Sequence, residues 1–328
     1  MSEAHATPLI FGFEFDTDGN VRRLSWDDVK SGEAERPEVY RWLHLNRLSA
    51  EVRTWLTEKS GISTVIDTAL LQEDTRPRCI RHGTGLLINL RGVNLNEGSE
   101  PEDMIAIRMW MTTGVVVSLR AFHIRAAQDL RDQIMAGDVP TSTGAIITYI
   151  AAKLTEGIEP VVSDLDGQAD DFEDQLLQPG VSLPKSALAN FRRKVLALRR
   201  YIIPQREALS HLGRDGADLL SQSDILHLRE VGDRVTRIGE ELDSIRERSL
   251  VLQEQVLEER AERMNQRLFV LAIISAVFLP LGFVTGLFGV NLGGMPGAQS
   301  PIGFAALCVG MTVLVGALLV LFRRVRWL

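Results

Sequence analysis

Residues 268–288 read LFVLAIISAVFLPLGFVTGLF, residues 302–322 read IGFAALCVGMTVLVGALLVLF, and from Leu268 to Phe322 there is no Asp, Glu, Lys, Arg or His. Each run is long enough to cross roughly 30 Å of hydrocarbon as a helix. Core helices of soluble proteins rarely hold so long an apolar stretch, so both are expected to be transmembrane helices. The residues before Leu268 are densely charged. Whole-chain averages of 45% hydrophobic and 24% charged residues over 328 positions therefore conceal a soluble body that feeds into a membrane domain.

The flanks give an orientation. Arg260, Arg263 and Arg267 precede the first span, Arg323, Arg324 and Arg326 follow the second, and the connection GVNLGGMPGAQSP carries no charge. The positive-inside rule then puts both termini in the cytoplasm and the short loop outside, with Trp327 at the inner interface. The N-terminal MSEAHATPLIFGFEF has no basic-then-apolar leader, so no cleaved signal is expected and the soluble part should stay cytoplasmic. A net charge of −7 argues against a nucleic-acid partner. Cys79 and Cys308 have no metal-ligand or disulfide spacing and are expected to be reduced packing residues. Two helices from one chain cannot enclose a hydrated path. Conduction would need several copies around a shared axis.

Ahead of the first span, Leu228, Val231, Val235, Ile238, Leu242, Ile245, Leu252 and Val256 form a heptad seam with Ser249 at its missing position. No proline interrupts Asp224 to Leu279, so one helix is expected from Asp224 to Phe288, on the order of 100 Å long, with Pro280 able to bend it. A plain coiled-coil stalk explains the heptads equally well. Within the span, Asn265, Leu268, Ala272, Ser275, Leu279, Gly282 and Gly286 share a small or mildly polar face. Such a face suits either close helix packing in lipid or the lining of an axial path.

Domain boundaries follow: an α/β domain over 1–142, a helical hairpin over 143–223, the stalk and first span over 224–290, an outer loop over 291–301, the second span over 302–322 and a basic tail over 323–328. In the first, LIFGFEFDTDGNVRRLS predicts a hairpin turning at Asp18-Gly19. The same stretch has calcium-loop spacing at Asp16, Asp18, Asn20 and Asp27, but Val21 stands where that loop needs Gly and Asp27 where it needs Glu. VYRWLHLN, TGLLINLRGVNL, MIAIRMWM and GVVVSL are further strands, with helices starting after Ser49, around Ile66 and at His123. From Thr143 an acidic helix (Glu156, Glu159, Asp164, Asp166, Asp170, Asp171, Glu173, Asp174) turns at Gln178-Pro179-Gly180 into a basic one (Arg192, Arg193, Lys194, Arg199, Arg200, Arg206). Mutual attraction of these charges is expected to hold the hairpin, with concentration of cations a by-product. No nucleotide-binding motif or catalytic constellation is present, and His44, His82 and His123 are expected to be structural. An enzyme is not indicated.

The C-terminal sixty or so residues resemble the CorA family of divalent metal transporters. The likeness is carried by Met264-Asn265, Ala272-Ile273-Ile274-Ser275, Phe278-Leu279-Pro280-Leu281 and Gly286-Leu287-Phe288-Gly289-Val290-Asn291. The family's Gly-Met-Asn signature stands here as Gly289, Val290 and Asn291, a variant that resembles the ZntB-like zinc branch. Glu73-Asp74-Thr75-Arg76-Pro77-Arg78 also resembles the family's soluble domain. The resemblance implies a funnel-shaped homopentamer in a bacterial inner membrane, with first spans around the pore and second spans outside them. It implies a polar ring of Asn291 at the outer mouth, a second ring of Asn265 at the inner end, and apolar constrictions at Leu268 and Leu279. Gly282, where magnesium transporters of the family carry Thr, and an outer loop without an acid favour zinc. Zn²⁺ is then the transported ion and no resident cofactor is implied. Proton coupling is implied by the zinc branch, although the spans hold no carboxylate to relay a proton. Without His or Cys in the pore the ion is expected to pass largely hydrated. Two alternatives remain: a magnesium, cobalt or nickel channel of the same family, and a membrane-anchored sensor or scaffold.

Overall fold

The computed structural model describes residues 7–16, 18–32, 39–178, 183–290 and 300–324. Its elements, in chain order, are β1 (Leu9–Asp16), β2 (Val21–Arg23), α1 (Trp26–Ser31), β3 (Val39–Asn46), α2 (Ala50–Glu58), α3 (Thr64–Leu71), β4 (Arg78–His82), β5 (Gly85–Gly92), β6 (Ile105–Met111) and β7 (Val115–Arg120). The helices α4 (Arg125–Ala136), α5 (Thr143–Leu177), α6 (Lys185–Asp215), α7 (Gln222–Phe288) and α8 (Gly303–Arg324) follow. The chain divides into two compact units, Met1–Gln253 and Glu254–Leu328.

Among the described residues of the first unit, seven strands form one sheet in the order β2-β1-β3-β7-β6-β5-β4. All pairs are antiparallel except β3 with β7, where Leu43 lies opposite Val117. Side chains alternate between faces along each strand. One face presents Leu43, Leu45, Leu87, Trp110, Val117 and Leu119 to a core completed by Val29 of α1, Val52, Trp55 and Leu56 of α2, and Ile66 and Leu70 of α3. The other face, with Phe13, Trp42, Ile88, Leu90, Ile107 and Met109, is covered by the later helices. Every β5 residue is buried, as an inner strand with helices on both sides requires. At its end, a Cβ on Gly92 would stand 2.6 Å from a terminal methyl of Leu154 of α5, so a larger residue there would require the leucine to shift.

One local reading needs correction, and two elements had no sequence signal to announce them. The β1–β2 turn is wider than two residues: Asp16 Oδ1 accepts from the Asp18 and Asn20 backbones at 3.0 and 2.8 Å, and Gly19 takes φ +79°. The carboxylate that fitted calcium spacing is thus used to close the turn. Helix α1 had no apolar periodicity to announce it and is started by a capping box, with Asp28 N–H donating to Ser25 Oγ at 3.2 Å and Ser25 N–H to Asp28 Oδ2 at 2.7 Å. Strand β4, Arg-Cys-Ile-Arg-His, has no apolar run to announce it, because an edge strand is paired on one side only and tolerates charges along its length.

Helices α5, α6 and α7 pack along one another within the first unit. The N-termini of α5 and α7 meet, where a Cβ on Gly144 would lie 2.7 Å from Asp224 Oδ2. Phe172 of α5 packs edge-on against Phe191 of α6 at 5.4 Å. The heptad seam is buried along its length, Ser249 included at 1% exposure. The charge pairing differs from expectation. Among the described residues, acids of α5 pair with Arg248 of α7, while the α6 cations Arg199 and Lys194 pair with Asp243 of α7 and with Glu100 and Glu102 of the β5–β6 connection. Three helices compete for partners here, and a two-helix account of their charges is too simple.

Candidate functional site

The second unit contains the end of α7 and all of α8, which among the described residues are the two helices long and apolar enough to cross a membrane. Their apolar windows are not buried. Leu268 is 57% exposed, Leu279 and Phe283 each 71%, and Phe304 79%. Water would not tolerate so large a continuous apolar surface, so lipid or further copies must cover it.

Each helix has one partly shielded stripe. On α7 it runs through Ile273, Ala276, Val277, Pro280, Leu281 and Val284; on α8 through Leu307, Met311, Leu314, Leu318 and Phe322. The residues expected to line a path lie elsewhere on α7. At ~100° per residue, Asn265, Leu268, Ala272, Ser275, Leu279, Gly282 and Gly286 fall on the side away from that stripe. All are exposed except Ser275, which is partly shielded. The helix continues through Pro280 and ends at Phe288. Gly289 N–H then donates to Thr285 O at 2.9 Å and to Gly286 O at 3.2 Å, and Val290 follows exposed. Asn291, the outer loop to Gln299 and the tail from Val325, with Arg326 and Trp327, lie outside the described residues.

Among the described residues no group of three His, Cys, Asp or Glu side chains could hold a metal. The polar atoms on the α7 face are the Asn265 amide and the Ser275 hydroxyl, neutral groups suited to a hydrated ion. His44 is fully buried, stacks on Phe11 with ring centroids 4.7 Å apart, and has Nδ1 2.8 Å from Ser118 Oγ. Burial holds its pKa well below the usual 6.5, with Arg120, His123 and Arg131 adding to the effect. It stays neutral and structural. His82 Nε2 lies 3.0 Å from Ser63 Oγ.

The Glu73–Arg78 motif is part of a clamp that sequence reasoning missed. Three buried arginines reach alternate carbonyls from the last residue of α3 into the α3–β4 connection. Arg47 donates to Leu71 O at 3.1 Å, Arg108 to Glu73 O at 2.8 Å, and Arg91 to Thr75 O at 2.8 and 3.0 Å. Arg91 also donates to Met104 O at 2.6 Å and lies 4.0 Å over the Tyr201 ring of α6. Burial, then repulsion from Arg47 and Arg91, lowers the Arg108 pKa to about 10. Nothing local signals this clamp, because its donors come from three strands or their ends.

The chain matches the family model described as CorA-like Mg2+ transporter protein over residues 37–324. It is 38% identical over 326 residues to the divalent cation transporter CmaX of Pseudomonas aeruginosa, covering 98% of this chain and 97% of that protein. It is 33% identical over 326 residues to the zinc transport protein ZntB of Pectobacterium atrosepticum, covering 99% of this chain and 98% of that one. A solved structure of the full-length CmaX protein superposes with a TM-score of 0.84 at 37% identity, covering 99% of this chain and all (100%) of that one.

Proposed function

The chain belongs to the CorA family of divalent cation transporters, and from that premise we propose that it carries Zn²⁺ across a bacterial inner membrane as a homopentamer. The observation that carries this reading is the unshielded face of α7. Within one chain the Asn265–Gly286 face is exposed at every position but the partly shielded Ser275, while the opposite side is partly shielded along its length. Five copies with that face inward would surround one path and leave the remaining apolar surface to lipid. Asn265 would ring its inner end and Asn291 its outer mouth. Leu268 and Leu279 would be constrictions that pass ions only when wetted. Both termini would be cytoplasmic by the arginine flanks.

Zinc is favoured by the Gly289-Val290-Asn291 variant and by the relatives named as zinc transport proteins. Coupling to an inward proton gradient goes with that assignment. Because the spans hold no Asp, Glu, Lys, Arg or His, the proton would travel by water or with the hydrated ion. Magnesium is the second reading, since the family model's description names Mg2+ and the relative CmaX is named only as a divalent cation transporter.

Flux into proteoliposomes tests both. Zn²⁺ uptake that responds to a proton gradient and disappears in Asn291→Ala is the expected result. Mg²⁺ uptake driven by voltage alone would replace zinc with magnesium. No flux of any cation from a folded oligomer would overturn transport in favour of a sensor or scaffold.

A further inference from the structure

Arg248 lies on α7 within the last two turns of the first unit, and its guanidinium is shared by three carboxylates of α5. Nη1 donates to Asp166 Oδ1 at 2.7 Å, Nε donates to Glu173 Oε1 at 2.8 Å, and Nη2 donates to Asp170. The acids are spaced four and three apart and so share one face of α5. The Arg248 side chain is 26% exposed, and all three of its nitrogens are engaged. Among the described residues no other cation pairs with these acids, although α6 carries six basic side chains in its first half.

The position of this fork matters. An apolar seam repeating every three or four residues fixes which faces meet, but a slide of one heptad, about 10 Å, re-seats every knob. The layer at Ser249 adds no apolar knob, because its buried hydroxyl donates to Arg246 O of the same helix at 2.6 Å. Beside that empty layer stands an Arg248 side chain that engages three charged partners at once. Ion pairs flanking a seam are what select partner and register in packed helices. The contact is also overloaded with negative charge. Burial and then Asp166 and Glu159 push up the pKa of Glu241, two turns earlier on α7.

We propose that Arg248 is a positioning residue for transport: its three-carboxylate latch sets the register of α7 on α5, and with it the setting of the helix that bears the pathway face. The proposal rests on the transport reading above. Helix α7 is unbroken from Gln222 to Phe288, so the element latched at Arg248 is the one that carries Asn265 and Leu268. The latch is partly exposed and adds little to global stability, so its effect should fall on register and not on folding.

The test compares wild type, Arg248→Met and Arg248→Lys in the full-length protein, reading Zn²⁺ flux, unfolding temperature and hydrogen exchange across residues 160–175. Met keeps the length and apolar stem without the charge; Lys keeps the charge without the fork. The expected result is an Arg248→Met protein that unfolds with wild type, exchanges faster over Asp166–Glu173, and changes flux about fivefold or more, the low end of coupling between distant sites. Arg248→Lys should recover part of that flux. Wild-type flux in Arg248→Met, or flux and unfolding temperature that fall together without recovery in Arg248→Lys, would overturn the positioning role. A wild-type protein that carries no cation would sink the transport reading and this role with it. Unchanged exchange at Asp166–Glu173 in a protein that does carry zinc would sink the latch alone.

Discussion

Replacing Asp67 with Asn should stabilise the protein at neutral pH, by an amount set by the environment of this one carboxyl. Asp67 on α3 is 2% exposed, and its Oδ1 has no hydrogen-bond partner. Burial raises its pKa from 3.8 to about 6. Below 3.8 both the folded and unfolded chains hold the proton, and the carboxyl makes no pH-dependent difference. As pH rises through the window from 3.8 to about 6, the unfolded chain ionises while the folded one keeps its proton. Stability present at low pH is therefore lost across that window and reaches its lower plateau above the folded pKa. At 1.36 kcal/mol per unit the total is about 3 kcal/mol. Asn has nearly the same shape and no charge to desolvate. The Asp67→Asn protein in detergent, unfolded by heat and followed by tryptophan fluorescence, should melt several degrees higher at about pH 7.5. Its advantage should shrink towards about pH 4, where the wild-type carboxyl is protonated in both states. An advantage independent of pH, or a variant less stable at neutral pH, would refute the reasoning.

Arg91→Ala removes the guanidinium from Thr75 O and Met104 O and leaves buried acceptors unpaired. A loss of about 3 kcal/mol is expected, with faster hydrogen exchange confined at first to residues 71–77. Leu279→Asn acts on the proposed path. Leu279 is 71% exposed within the chain, so the soluble unit should melt as wild type does. A wetted constriction should nonetheless raise ion flux, and unchanged or lower flux in proteoliposomes would place Leu279 away from the path.

How much was legible beforehand varies with the range of the forces involved. The spans were readable because hydrocarbon imposes one requirement on some twenty consecutive side chains, and Leu268–Phe288 and Ile302–Phe322 meet it residue by residue. The inner strands were readable for a similar reason. VYRWLHLN and MIAIRMWM put large apolar groups where a sheet covered on both sides needs them. The heptad seam gave its own face, and the structure buries each of its residues. Strand β4 and helix α1 were not readable, since one is a charged edge and the other is started by a cap and has almost no apolar stripe. The α5–α6 charges misled because a sequence shows sign and spacing but not which neighbour arrives.

The sequence by itself determined that this chain has a charged soluble body, a continuous heptad helix and two apolar spans, because each depends on a periodicity or length written in consecutive residues. Only the tertiary structure decided that β3 and β7 pair in parallel, that three arginines grip the Leu71–Thr75 carbonyls, and that Arg248 takes the carboxylates the basic helix might have claimed. Those contacts join residues from 16 to 82 positions apart. Folding selects them by burying apolar faces first and leaving each charge to find the partner that packing has placed within reach.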